Sequence, residues 1–262
     1  MSNSKPLGVV VVGSGNVAEA IAVAIAEAWA LELRQVVARN AERAAAIADM
    51  CRTEWTDKPE ESADADLYII AVSDRAVEEV ASRLRRSEGS IVVHTAGSVE
   101  MGKLGEKPHG VLYPFQTFTA GRRVDFSDVP LFVEGCDEDT TQRIEEFAQR
   151  LSRRVYRASS ARRREIHLAG VFACNFVNAL YGMAADHLLA TEGLPFDVLH
   201  PLILETAHKA ADAAHPRNVQ TGPAVRGDRA VIERHEGMLT EPQHKEIYKL
   251  LSDYIWQISK KI

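Results

Sequence analysis

Three groups of residues in this chain have types and spacing suited to chemistry. The first is the run Gly13-Ser14-Gly15-Asn16-Val17-Ala18. Between a strand and a helix, such a run makes an anion-binding turn. The first glycine permits the tight turn, the second lets the backbone approach a pyrophosphate, and Ala18 lets helix and sheet pack closely. The helix start adds N–H groups and a partial positive charge. The second group is Arg39, Asn40 and Arg43. It stands where an NAD site usually presents a carboxylate to the ribose. A guanidinium there can stack on adenine and pair with a 2′-phosphate. The third group is spread along the chain: His94, Tyr113, Gln116, Thr117, His167, Asn175, Asn178, Thr221 and Arg226. Histidine is the commonest proton carrier in enzymes, and arginine can clamp a carboxylate with two parallel bonds.

The elements that must position these groups follow from the apolar pattern. Residues 7–12, 33–38, 67–72, 90–94, 110–113, 130–133 and 154–156 read as strands. Helical stretches at 16–31, 41–50, 74–84 and 137–151 alternate with them. The near-continuous apolar run 7–12 suits a strand covered on both faces. The alternation predicts an α/β fold with a parallel, doubly wound sheet. In that setting the glycine run lies between the first strand and first helix, and Val72, Ser73 and Thr95 pass beside a bound dinucleotide. Asp74 is expected to cap the helix that follows.

Composition changes near Ala158-Ser159-Ser160, beyond which helices are expected at 161–191, 196–214, 228–239 and 243–258. The division is therefore 1–157, Rossmann-like, and 158–262, all-helical. The stretch 161–191 is crowded with small residues, among them Ala169, Gly170, Ala173, Ala184 and Ala185, and reads as a buried central helix. At 100° per residue, His167 and Asn178 fall about 20° apart and Asn175 about 80° from His167. The cluster Arg162-Arg163-Arg164 reads as a solvated helix entry, and Asp228 as the cap of the helix after it.

The chain has 262 residues, 46% hydrophobic and 26% charged, which excludes disordered and collagen-like classes. With 31 Lys and Arg against 37 Asp and Glu, the net charge is −6. That balance argues against a nucleic-acid partner and for a small-molecule substrate. Cys51, Cys136 and Cys174 form no CxxC pair, so neither a disulfide framework nor a zinc site is expected. His187, His200, His208 and His215 lack compact ligand spacing, so no metal is expected. No apolar run of ~20 residues stands out, and a cytoplasmic location without a membrane partner is expected.

The motifs Gly13–Ala18, His94-Thr-Ala-Gly-Ser98, Tyr113-Pro-Phe-Gln-Thr-Phe118, His167-Leu-Ala-Gly-Val-Phe-Ala-Cys-Asn175 and Gln220-Thr-Gly-Pro-Ala-Val-Arg-Gly-Asp228 resemble one family in the same order. It comprises NADP oxidoreductases with a Rossmann-like half and a helical domain of unknown function. Its relatives are pyrroline-5-carboxylate reductases, prephenate dehydrogenases and deazaflavin-dependent NADP oxidoreductases. The resemblance implies hydride transfer, NADP rather than NAD, and a homodimer formed through the helical half. The related β-hydroxyacid dehydrogenases carry a lysine four residues before an asparagine. Here those positions hold Val171 and Cys174. His167 or Tyr113 is then left as proton donor, with Asn175 beside them, or the substrate is an imine that arrives protonated. His94, Gln116, Thr117, Asn178, Thr221 and Arg226 are the candidate substrate ligands; His94 alternatively braces its loop. The rival reading is an inert NADP(H)-binding sensor.

Overall fold

The computed structural model of the chain describes residues 6–105 and 108–260. They fall into two compact units, 1–175 and 176–262. The boundary in space thus lies beyond the change in composition at 158–160.

The first unit is an eight-stranded sheet in the order β3-β2-β1-β4-β5-β6-β7-β8. Its strands are β1 (Leu7–Val12), β2 (Leu31–Val37), β3 (Glu54–Thr56), β4 (Leu67–Ile70), β5 (Ile91–His94), β6 (His109–Pro114), β7 (Leu131–Gly135) and β8 (Val155–Arg157). Its helices are α1 (Asn16–Glu27), α2 (Ala41–Cys51), α3 (Val77–Arg83), α4 (Glu138–Gln149) and α5 (Ser160–Gly170). Strands β1 to β6 pair in parallel. Strand β7 runs antiparallel to β6, and β8 is parallel to β7. The expected parallel sheet therefore holds for six strands and reverses at the seventh. The link from Pro114 to Leu131 contains no crossover helix, which a parallel partner would need. Strand β3 has no apolar run to announce it; only Trp55 and its pairing to β2 mark it.

Alternate residues of the central strands feed two cores. Val9, Val11, Ile69, Val93 and Leu112 meet Ile21, Ile25, Ile47, Ile144 and Phe147 from α1, α2 and α4. Val10, Val12, Tyr68, Ile70 and Val92 meet Val77 and Leu84 on the other face. Covering on both faces is why β1 reads as unbroken valine rather than as an alternation. Helix α1 ends at Glu27, earlier than the apolar pattern suggested, because Ala28 is extended and Ala30 takes φ 62° to turn the chain into β2.

The second unit contains α6 (Val177–Glu192), α7 (His200–Asp212), the single turn α8 (Pro223–Arg226), α9 (Arg229–Met238) and α10 (Pro242–Ser259). Asp228 accepts from the backbone N–H of Val231 and caps α9 as expected. Among its described residues only Ala224 and Ser252 are buried.

The stretch Ser160–Glu192 is one continuous helical rod, and its centre, Val171–Phe176, is π-helical. Three expectations fail here. The rod is not a buried central helix: Arg163 is its one buried side chain. It is also 33 residues long, with an 18-residue window of mean hydropathy 1.4 and none of that window buried. By length and composition it is enough to cross a membrane. The π segment also breaks the 100° phase, so the angular relation predicted from His167 to Asn175 and Asn178 does not apply.

Candidate functional site

The carboxyl ends of the parallel strands share one edge of the sheet. Backbone bonds run from Gly13 to Val37, from Ala71 to Val12 and from Thr95 to Ile70. The strand order reverses between β1 and β4, and open α/β sheets take ligands at such a point. Gly13 lies there with φ +136°, and a Cβ on it would run into the carbonyl of Ala71. Gly15 faces open space. It is the N-cap of α1, which no side chain caps. An open cradle at an uncapped helix start suits a pyrophosphate, so the motif fits a dinucleotide.

The neighbouring side chains are less available than their types suggested. The Asn16 amide donates to the carbonyl of Phe118 (3.0 Å). The Asn40 side chain accepts from the backbone of Arg43 and caps α2. The Arg43 guanidinium pairs with Glu19 at 2.7 Å and donates to the carbonyl of Ser14 at 3.3 Å. Arg39 is exposed at the end of β2. Val17 and Val72 are half-buried, Ser73 is exposed and Thr95 is buried. Asp74 does not cap a helix; its carboxylate accepts from the Ser98 hydroxyl.

The chemistry-bearing side chains of the first unit gather where α5 crosses the distal strands. Helix positions i, i+4 and i+7 share a face, and on α5 these are Arg163, His167 and Gly170. Arg163, expected to be solvated, is 1% exposed and pairs with Glu134 of β7 at 2.5 Å. Glu134 also accepts from the Ser160 backbone N–H and hydroxyl, and Arg163 donates to the carbonyl of Val99. One turn on, His167 Nδ1 lies 3.0 Å from the Tyr113 hydroxyl. A turn further, Gly170 sits so close to Phe115 that a Cβ would lie 2.7 Å from its ring. Beneath the His–Tyr pair is Gly97. A Cβ there would lie 2.6 Å from His167 Nδ1 and 3.0 Å from Tyr113 Cζ. The loop 94–98 therefore needs glycine at 97 for the two rings to meet.

Burial pushes the Tyr113 phenol up to about 12, against a smaller opposing effect of the Arg163 cation. The phenol is thus protonated throughout the neutral range. His94 is fully buried, and its Nδ1 accepts from the Ala96 backbone N–H within the loop 94–98. Burial first, and then the Arg163 charge, hold its imidazole down at about 4. Gln116 and Thr117 are exposed on the loop after β6, where the Gln116 side chain accepts from the Thr117 backbone. Asn175 is exposed in the π segment. In the second unit, Asn178 is exposed on α6, and Thr221 and Arg226 are exposed before and at the end of α8.

Glu19 and Glu134 had no role in the sequence reading, Gly97 entered it only within the motif 94–98 and Arg163 only as part of a solvated cluster. Glu19 did carry a signal, as an acid one residue past the glycine motif. Among the described residues, no group of three or more His, Cys, Asp and Glu is placed to hold a metal ion.

Two family models match the chain. Residues 8–97 match the coenzyme F420-dependent NADP oxidoreductase family, and residues 129–255 match a domain of unknown function, DUF2520. No curated protein matches significantly. Among solved structures, a Bacteroides fragilis protein assigned as an NADP oxidoreductase is 38% identical. The match covers 97% of this chain and 99% of that one, with a TM-score of 0.87. A 1-pyrroline-5-carboxylate reductase from Streptococcus pyogenes is 13% identical over 99% of this chain and 100% of its own, at TM-score 0.64. A reductive aminase from Aspergillus terreus, solved with NADPH and ethyl-5-oxohexanoate, is 14% identical over 97% and 94%, at TM-score 0.69. The last two show a shared fold alone. Identity along nearly the whole length of the Bacteroides protein, with the glycine cradle at the front of the sheet, shows that the chain belongs to that family of NADP oxidoreductases, built from an F420-dependent-oxidoreductase-type N-terminal domain and a DUF2520 C-terminal domain.

Proposed function

We propose that the protein reduces a small, carboxylated keto or imino compound with NADPH, and that Tyr113 and His167 form its proton-donating pair. The observation that carries this reading is the 3.0 Å contact between His167 Nδ1 and the Tyr113 hydroxyl, above Gly97 on the ligand-binding edge of the sheet. Gly13, Ser14, Gly15 and the start of α1 hold the pyrophosphate, and the exposed Arg39 meets the 2′-phosphate. NADPH, when bound, supplies the hydride. A phenol held protonated by burial is a poor base and a competent donor to a developing alkoxide or amide nitrogen. His167 takes the other end of that hydrogen bond and restores the proton from solvent, to which it is exposed.

The protein acts as a homodimer through its helical unit. That unit leaves Leu189, Leu202, Leu204 and Leu250 more than half exposed. It also carries an apolar groove of about 400 Å³ lined by Met183, His187, Met238 and Tyr248, among others. An apolar stripe of this kind needs a covering layer, and a second copy provides one.

The test is NADPH oxidation against a panel of small keto and imino acids. Tyr113→Phe and His167→Ala are each expected to lower turnover by about 10²-fold or more, with NADPH binding within a few-fold of wild type. Gly97→Ala is expected to fall with them, because it separates the two rings. Unchanged turnover in both His167→Ala and Tyr113→Phe would sink the assignment. Firm NADPH binding without turnover of any compound would favour the sensor reading.

A further inference from the structure

The glycine motif, the start of α2 and the loop after β6 are distant in sequence, yet one carboxylate joins them. Glu19 lies on the first turn of α1 and is almost entirely buried, its side chain 11% exposed. One oxygen accepts from Arg43 at 2.7 Å, and the other from the backbone N–H of Gly121 at 2.9 Å. Arg43 in turn donates to the carbonyl of Ser14, within the cradle. A second clip lies beside the first: the Asn16 amide donates to the carbonyl of Phe118. The segment held by these two bonds, 116–121, carries Gln116 and Thr117 at its base. Most of it is exposed, Phe118 being its half-buried exception. The stacking of Phe118 on Phe126 (5.8 Å) is its other side-chain anchor in view. A short exposed segment with few apolar contacts is easily opened, so hydrogen bonds to a buried acid matter more there than in the core.

We infer that Glu19 is a positioning residue that couples the dinucleotide cradle to the 116–121 loop, so that seating NADPH and ordering this loop are one event. The chemical reason is the attachment of both clips. Ser14 and Asn16 belong to the backbone turn that a pyrophosphate would fill, and each holds the loop, Ser14 through Arg43 and Glu19, Asn16 directly. An occupant that stiffens the turn stiffens the anchors of the loop. Glu19 also keeps the Arg43 cation on the cradle side, which leaves Arg39 to meet a 2′-phosphate. The inference rests on NADP binding but not on the Tyr113–His167 assignment.

Arg122 and Arg123 follow the loop directly and are exposed, so trypsin reports its order without any turnover assay. In the full-length protein, NADPH is expected to slow cleavage after Arg122 and Arg123 several-fold, with cleavage after the exposed Arg153, in the link between α4 and β8, as internal reference. Glu19→Ala is expected to raise cleavage of the loop about tenfold without cofactor and to lose most of the NADPH protection. Glu19→Gln keeps an acceptor for Gly121 N–H but cannot pair with Arg43. Its loop should be cut at close to the wild-type rate without cofactor, with the NADPH protection reduced. A general loss of stability would raise cleavage at Arg153 equally, and that result overturns the inference. So does full NADPH protection in Glu19→Gln, which carries the test if the alanine variant does not fold. Binding is measured in parallel by NADPH fluorescence. Wild-type protein that fails to bind NADPH removes the cofactor reading and this inference together. Binding with no change in loop cleavage removes this inference alone.

Discussion

The two units of this chain treat apolar surface in opposite ways. In the first, the valines and isoleucines of β1, β4 and β5 are within a few per cent of complete burial, shut between helices on both faces. In the second, helices of ordinary length leave most of their leucines in the open, and among its described residues two small side chains are buried. A parallel sheet buries its strands within one chain because each crossover helix returns to cover it. Helices joined by short turns cover one another only along narrow stripes, and a thin layer of them leaves a face over. The candidate site residues are divided along the same line: the glycine motif, Tyr113 and His167 lie in the first unit, while Thr221 and Arg226 lie in the second.

The contrast can be broken most forcefully at the ion pair that seats α5. Glu134→Ala leaves the Arg163 cation buried and uncompensated, which costs about 3–5 kcal/mol. Chemical denaturation is expected to show that loss in the sheet unit. A variant as stable as wild type would mean that Arg163 finds water instead. Acid sharpens the same point. An unfolded His94 takes a proton near 6.5, whereas the folded one, buried and near Arg163, does so at about 4. Between those values the unfolded chain binds more protons, so stability falls as pH drops from ~6.5 towards 4. The full effect is on the order of 3 kcal/mol. Denaturation midpoints at pH 7 and pH 4.5 should differ less in His94→Gln than in wild type. The third prediction addresses the helical unit. If a second copy covers it, a hundredfold dilution lowers its stability by about 2.7 kcal/mol per dimer. Trp256 belongs to α10, while Trp29 and Trp55 lie in the first unit. A Trp29→Phe, Trp55→Phe protein therefore reports the helical unit by fluorescence, and its melting temperature should fall on dilution. A concentration-independent value would remove the dimer.

Local rules made the cradle legible. Gly13, Gly15 and Ala18 are informative because tight turns and helix–sheet contact demand small residues wherever the strand–turn–helix unit occurs. The cap Asp228 was similarly readable, since it bonds a backbone N–H three residues ahead; Asn40 and Asp137 cap α2 and α4 in the same way, though Asn40 read as a phosphate ligand. Asp74 misled because the same residue type also serves as a distant acceptor, here for Ser98. Arg163 misled because a triplet of arginines normally stays in water, and nothing near it in sequence announces Glu134.

By itself the sequence determined the βα order, the glycine turn, the pool of proton donors and the helical second half. Those depend on periods of two and 3.6 residues and on turn chemistry, which act over a few neighbours. Tertiary structure alone decided that β7 reverses, that His167 meets Tyr113 over Gly97, that Arg163 goes inside, and that Glu19 holds Arg43 and Gly121 together. Each of these joins residues that only the pairing of strands and the seating of α1 and α5 bring into reach, and no local pattern encodes a contact across 54 or 102 positions of chain.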